Sequence, residues 1–144
     1  MRFTRQLVDG LAALLQEAGL GTYRPSGPAY GAGDTAIVAG VMPEAPDRVL
    51  LLTPYSVEDT DLPDGITGMQ VRMRAGRDPR DVGDLADDVR DLLHNRRHYQ
   101  LGGVHVALSW RESQAPLGQD RHGRHELTSN YYLRASSGGP NLYE

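Results

Sequence analysis

The spacing of apolar residues changes period several times along the chain, and each change marks an element. Leu7, Leu11, Leu14, Leu15 and Ala18 recur at helical spacing, which predicts an amphipathic helix from Thr4 to about Leu20 with one stripe to bury. Thr4 is a suitable N-cap, and Gly19 or Gly21 supplies a left-handed stop. "GTYRPSGPAYGAGDT" is dense in Gly and Pro and reads as a loop. It lacks the Gly-Lys-Ser/Thr ending of a phosphate-binding loop. The apolar runs "AIVAGVM" and "RVLLLT", with "PEAPD" between them, predict two strands joined by a turn.

"PYSVEDTDLPDGIT" reads as a second loop, an acidic one that carries Glu58, Asp59, Asp61 and Asp64 with no basic residue. From Gly68 to Ala75 the period falls to two: Met69, Val71 and Met73 point one way, and Gln70, Arg72 and Arg74 the other. The second helix is announced most clearly. Asp78 is a natural N-cap, Pro79 suits the first helical position, and Asp81 favours the positive dipole end. Val82, Leu85, Ala86, Val89, Leu92 and Leu93 form its stripe, which ends near Asn95.

Two more strands are predicted in "GVHVALSW" and "HELTSNYYLRA", with "RESQAPLGQDRHGR" between them as a loop. In the second, Leu127, Tyr131 and Leu133 share one face, and Thr128, Asn130, Tyr132 and Arg134 the other. The order helix, three strands, helix, two strands predicts a single α+β domain over residues 1–135. Its core is a central antiparallel or mixed β-sheet of about five strands packed by two α-helices. Residues 136–144, "SSGGPNLYE", are expected to form a flexible C-terminal tail.

At 144 residues the chain suits one domain, and a domain of that size buries roughly two thirds of its unfolded surface without help from a metal or disulfide. It has no cysteine, which removes disulfides, thiolate zinc sites and cysteine nucleophiles together. The net charge of −4 gives no long-range attraction to nucleic acid or an anionic membrane. All fifteen basic side chains are arginine. A GC-rich coding sequence produces that bias, and arginine's planar fork also suits ion pairs between proteins. "MRFTRQLVDG" has no signal-peptide core, and no window is apolar enough to span a bilayer. A soluble protein made in a cytoplasm is expected.

Among candidate chemistries, Asp120, His122, His125 and Glu126 gather metal-ligand types in "QDRHGRHE", the set a small metal-dependent hydrolase would use. Strand geometry would send His125 and Glu126 to opposite faces, and surface loops collect such residues by chance. Ser109 and Ser113 lie in no nucleophile motif, and His105 stands alone on a strand. His94, Arg96, Arg97, His98 and Tyr99 form a basic cluster that suits the negative end of the second helix. A nucleic-acid-binding module would draw on Arg96, Arg97 and Arg72, against the acidic overall charge.

The row Gln70, Arg72, Arg74 cannot lie under an apolar helix, because unpaired buried charge costs several kcal/mol. It is expected to face solvent or an opposite charge. The acidic segment from Glu58 to Asp64 is its complement, yet it lies too close in sequence to fold over the strand that follows. Copies arranged head to tail would bring the acidic segment of one to the arginines of the next. The interface candidates are Arg72, Arg74, Arg77, Arg134, Glu58, Asp59, Asp61 and Asp64.

The succession "AIVAGVMPEAPDRVLLLTPY", "GMQVRMRAGRDP", "DLADDVRDLL", "LGGVHVALS" and "APLGQDRHGRHELTSNYYLR", from about Asp34 to Arg134, resembles the minor capsid or tail-terminator proteins of long-tailed bacteriophages. That resemblance implies a virion structural protein, assembled in the bacterial host cytoplasm. It would form a homo-oligomeric ring, hexameric in such proteins, that caps the head-proximal end of the tail tube. Its partners would be the tail tube protein and head-completion or neck proteins. Genome DNA would pass through the ring without sequence-specific binding. No catalysis, cofactor, metal or membrane is expected. Gln70, Arg72, Arg74, Asp120, Arg124, Asn130 and Tyr131 match the family's blocks and are assigned to fold or subunit contacts. Another neck or connector subunit is the alternative within the same class.

Overall fold

The computed structural model describes residues 2–142. Among these, two helices and seven strands occur in the order α1 (Phe3–Glu17), β1 (Thr22–Tyr23), β2 (Thr35–Ala39), β3 (Arg48–Glu58), β4 (Asp64–Arg74), α2 (Pro79–Leu93), β5 (Arg96–Leu101), β6 (Val104–Gln119) and β7 (His125–Ser136). The strands form one curled sheet in the order β1-β2-β3-β4-β7-β6-β5. The pairs β1–β2 and β2–β3 are parallel, and every other pair is antiparallel. The α+β single-domain architecture is the one expected, with seven strands in place of about five.

Both helices pack on one face of the sheet. Leu7, Leu11 and Leu15 of α1 and Val82, Leu85, Ala86, Val89 and Leu93 of α2 share a core with Leu50, Leu52, Met69, Val71, Met73, Tyr131 and Leu133. These strand residues alternate along β3, β4 and β7, so burying one side of each strand commits the other side to the open face. A smaller cluster of Ala36, Val49 and Leu51 covers part of that second face, under Tyr30, Val38 and Met42.

The helix ends follow from local chemistry. Asp78 accepts the Arg80 N–H at 2.9 Å, and Pro79 opens α2. In α1 the chain enters at Arg2 without a side-chain cap, and Thr4 lies inside the helix. Gly19, at φ +79°, ends it. One close approach fixes α1 on the sheet. Gly10 lies against the turn between β5 and β6, where a Cβ would stand 2.7 Å from Leu101 Cα and still nearer the Gly102 backbone.

Four segments differ from the sequence expectation: within the expected Gly/Pro loop, Thr22–Tyr23 forms the short strand β1, parallel to β2. The stretch "PYSVE" extends β3 to Glu58, and "DGIT" opens β4, so the acidic loop is a hairpin whose turn is only residues 59–63. "RESQAPLGQ" extends β6 to Gln119 through two register shifts. The basic cluster after α2 is the edge strand β5. In each case cross-strand bonding overrides a weak or polar local pattern. Ser136, the first residue of the expected tail, closes β7, and the Ser137 N–H donates to Pro63 O at 2.9 Å. Tyr143 and Glu144, at the end of that segment, lie outside the described residues.

Candidate subunit interface

The arginine row and the acidic segment sit at opposite ends of the β3–β4 hairpin. Arg74 pairs in register with Val49 and Glu126, and Arg72 with Leu51 and Thr128, whereas Asp64 pairs with Ser136 and Ile66 with Glu58. Six residues of strand separate Ile66 from Arg72, about 20 Å. The acidic turn therefore cannot reach Arg72 or Arg74 of its own chain, although Arg134 lies at its own end, in register with Ile66.

At the arginine end the charge is consumed internally. Arg74 is only 3 % exposed. Its Nε donates to Asp47 O at 3.0 Å and its Nη2 to Pro46 O at 2.6 Å and Glu44 O at 3.4 Å. Carbonyl acceptors make burial of the guanidinium tolerable. Burial, followed by the neighbouring Arg124 charge, pushes its pKa below the usual arginine value. Arg72 remains 39 % exposed, but its Nε donates to Glu126 Oε1 at 2.8 Å. Arg72 thus meets the opposite charge expected for this row, within its own chain, whereas Arg74 departs from the expectation and lies buried against loop carbonyls.

Beside Arg74, the turn between β6 and β7 forms a second network. Asp120 Oδ1 accepts the N–H groups of His122 and Arg124, both at 2.9 Å, and its Oδ2 accepts Arg124 Nε at 2.8 Å. Arg124 Nη1 donates to Glu44 O at 2.6 Å and Asp47 Oδ1 at 3.2 Å. Gly123, at φ +79°, permits the turn. Burial alone would raise the Asp120 pKa, but these donors outweigh it and hold the carboxyl down at about 2. Glu44 bridges to Arg121 and His122. The cleft above, about 690 Å³, is lined by Glu44, Ala45, Asp47, Gly76, Arg77, His122 and Arg124.

The candidate metal ligands do not converge. Asp120 is held by Arg124, His122 approaches Glu44, His125 contacts Gln119 at 3.3 Å, and Glu126 binds Arg72 on the open sheet face. Among the described residues no three His, Asp or Glu groups are placed to hold a metal ion. Ser109 is buried in a relay, accepting from Tyr99 Oη at 2.6 Å and donating to Leu93 O at 2.7 Å. Ser113 accepts from Asn130 on the sheet face, and His105 stacks on His98.

The acidic end is different. Glu58, Asp59, Asp61 and Asp64 are all exposed, and among the described residues none forms an ion pair. Only Asp64 has a side-chain bond, from Ser136 Oγ at 2.7 Å. Thr60 shapes the turn, its hydroxyl donating to Asp64 O at 2.8 Å and accepting the Leu62 N–H at 3.1 Å. Arg134 is exposed on the open face, and Arg77 is exposed with its Nε on His122 O.

The open sheet face also carries a row that hydrophobic patterning does not single out. Tyr55, Gly68, Tyr132 and Trp110 lie side by side across four strands. The Tyr55 ring covers Gly68, its hydroxyl donates to Asn130 Oδ1 at 3.2 Å, and Trp110 meets Tyr132 edge-on at 5.8 Å. The alternation of polar and aromatic residues in β7 is the sequence signal that places this row opposite the core.

The domain leaves one sheet face only partly covered and carries an acidic turn without an ion pair among the described residues, which suits contact with another protein. Comparison with protein families agrees: residues 14–136 match the model for bacteriophage tail terminator proteins, and the chain belongs to that family. The match covers the earlier resemblance and extends it into α1. Comparison with curated proteins returns no match. Membership makes the chain a structural component of a phage tail. None of its described helices is long and apolar enough to cross a membrane.

Proposed function

We propose that this protein caps the head-proximal end of the tail tube as a homo-oligomeric ring, hexameric as the family resemblance implies. There it stops tube growth and joins the tail to the head through the neck proteins. It has no catalytic role in this reading. The observation that carries it is the family match over residues 14–136, joined to an acidic turn whose four carboxylates have no cationic partner within the described chain.

Unpaired charge on a short, hydrogen-bonded turn is well placed for contact with another subunit. Glu58, Asp59, Asp61 and Asp64 form the acidic side of the subunit contact. Exposed arginines, Arg77 and Arg134 among them, lie on the basic side or against the tube. Arg72 contributes through the part of its guanidinium left free by Glu126. Arg74 supports the wall from within. Pairing of Arg72 and Arg74 inside the chain also suits a conduit for DNA, because a bore rich in free arginine would bind phosphates.

Imaging particles made without the gene tests the reading. Overlong tails unjoined to heads are expected. Tails of normal length beneath leaking heads would assign the protein to the neck instead.

A further inference from the structure

Two flanks of the sheet lack a strand partner, and they lie on opposite sides of the molecule. β2 accompanies β3 only as far as Leu52, so residues 53–58 pair on one side alone, with β4. β5 accompanies β6 only from Val104 to Ser109, and the Arg111 N–H is taken by His94 Nδ1 at 3.0 Å. Among the described residues, 112–119 therefore pair only with β7. A row of unpaired backbone groups is a template for another strand. Exposed large hydrophobics mark the same places: Tyr55 and Val57 on the first flank, Leu62 just beyond it, and Leu117 on the second, with Val41 the one lying elsewhere. Three of five on the two flanks, with a fourth next to one of them, point to burial against a partner.

We infer that these flanks pair with each other between copies, 53–58 of one chain beside 112–119 of the next. The inference rests on the ring reading above and specifies how the ring is closed. Strand direction fits. β3, β4, β7 and β6 alternate in direction, so copies rotated about an axis along the sheet set β3 antiparallel to the preceding β6. The contact is head to tail, as a ring requires.

The offset between the flanks fits as well. Tyr55 lies level with Trp110 in the row across the sheet, so the β6 flank sits further toward the Arg74 end. Setting Tyr55 opposite Ala115 of the next copy shifts the ladder by about four residues, because of the irregularity between Arg111 and Ser113, or ~13 Å at ~3.3 Å each, over four strand spacings of ~4.8 Å. The strands would then tilt by about 35° to the ring axis, at the lower end of the range of closed sheets. In that register Asp59 falls opposite Arg111, near the corner that carries His94 and Arg97, and Glu58 falls opposite Glu112. Glu112 is turned away to Trp110 Nε1, at 3.1 Å. Pro54 and Pro116 meet at the other end and confine the ladder to 55–58 against 112–115. A short ladder of this kind limits uncontrolled edge growth.

A cross-link tests this directly, because the chain has no native cysteine. Ser56 and Gln114 face the same side of the sheet in the proposed register, and within one chain three strand spacings, ~14 Å, plus the offset keep them too far apart for a disulfide. The chain carrying both Ser56→Cys and Gln114→Cys, mildly oxidised with and without tail tubes, is expected to give covalent multimers beyond the dimer. Each single variant is expected to give none beyond the dimer. Val57→Lys is expected to retain the melting temperature and lose at least tenfold in assembly. Rings seen by light scattering and microscopy without a covalent ladder would overturn the edge pairing and leave the ring reading intact. A chain that stays monomeric even at tube tips would overturn both.

Discussion

The two ends of the β3–β4 hairpin carry opposite charge and have opposite fates. At one end Arg74 and Arg124 are buried, and each guanidinium has at least three hydrogen bonds within the chain. At the other, Glu58, Asp59, Asp61 and Asp64 are exposed and, among the described residues, form no ion pair. A charged row is therefore not in itself an interface. What distinguishes a docking charge from a structural one is whether the fold has already satisfied it. Arginine makes the first arrangement possible, because its fork reaches several carbonyls at once and its charge persists when buried.

Substitutions should separate the ends sharply. The largest effect is expected for Arg124→Ala, which leaves Asp120 and two further acceptors without their donor in a site where the side chain is 8 % exposed. A loss of about 3–5 kcal/mol is expected in chemical denaturation. Arg74→Met keeps apolar bulk but abandons three carbonyls, and about 2–4 kcal/mol is expected. If either variant unfolds at the wild-type midpoint, the network is not what holds this end together.

A smaller effect should appear with pH. The Asp120 pKa lies below its unfolded value, at about 2, so its contribution is fully present above about pH 4. It is lost as pH falls from about 4 toward 2. Asp120→Asn should flatten the acid side of the melting-temperature profile in that window, and an unchanged profile would remove Asp120 from the account. The smallest effect on stability is expected at the other end. Asp59→Asn with Asp61→Asn should change unfolding by no more than about 0.5 kcal/mol, while assembly of the purified chain weakens and becomes less sensitive to salt. Equal loss of folding at the two ends would erase the contrast.

Elements with strong periodicity or distinct end chemistry are legible along the chain. α2 was legible because Asp78, Pro79 and six apolar residues at helical spacing all agree. The core faces of β4 and β7 were legible because a half-buried strand must alternate. The ordered blocks from Asp34 to Arg134 also pointed to the family that the match over residues 14–136 establishes. The rest depends on contacts between segments distant in the chain. β5 and the outer halves of β3 and β6 are polar, and they are strands because neighbours supply hydrogen bonds that no local pattern records. Whether Arg74 faced out or in depended on the 44–47 loop, whose carbonyls come within reach only after β3 and β4 pair. Periodicity reports which side of a strand a residue takes, but the partners that wait there are brought by long-range contacts.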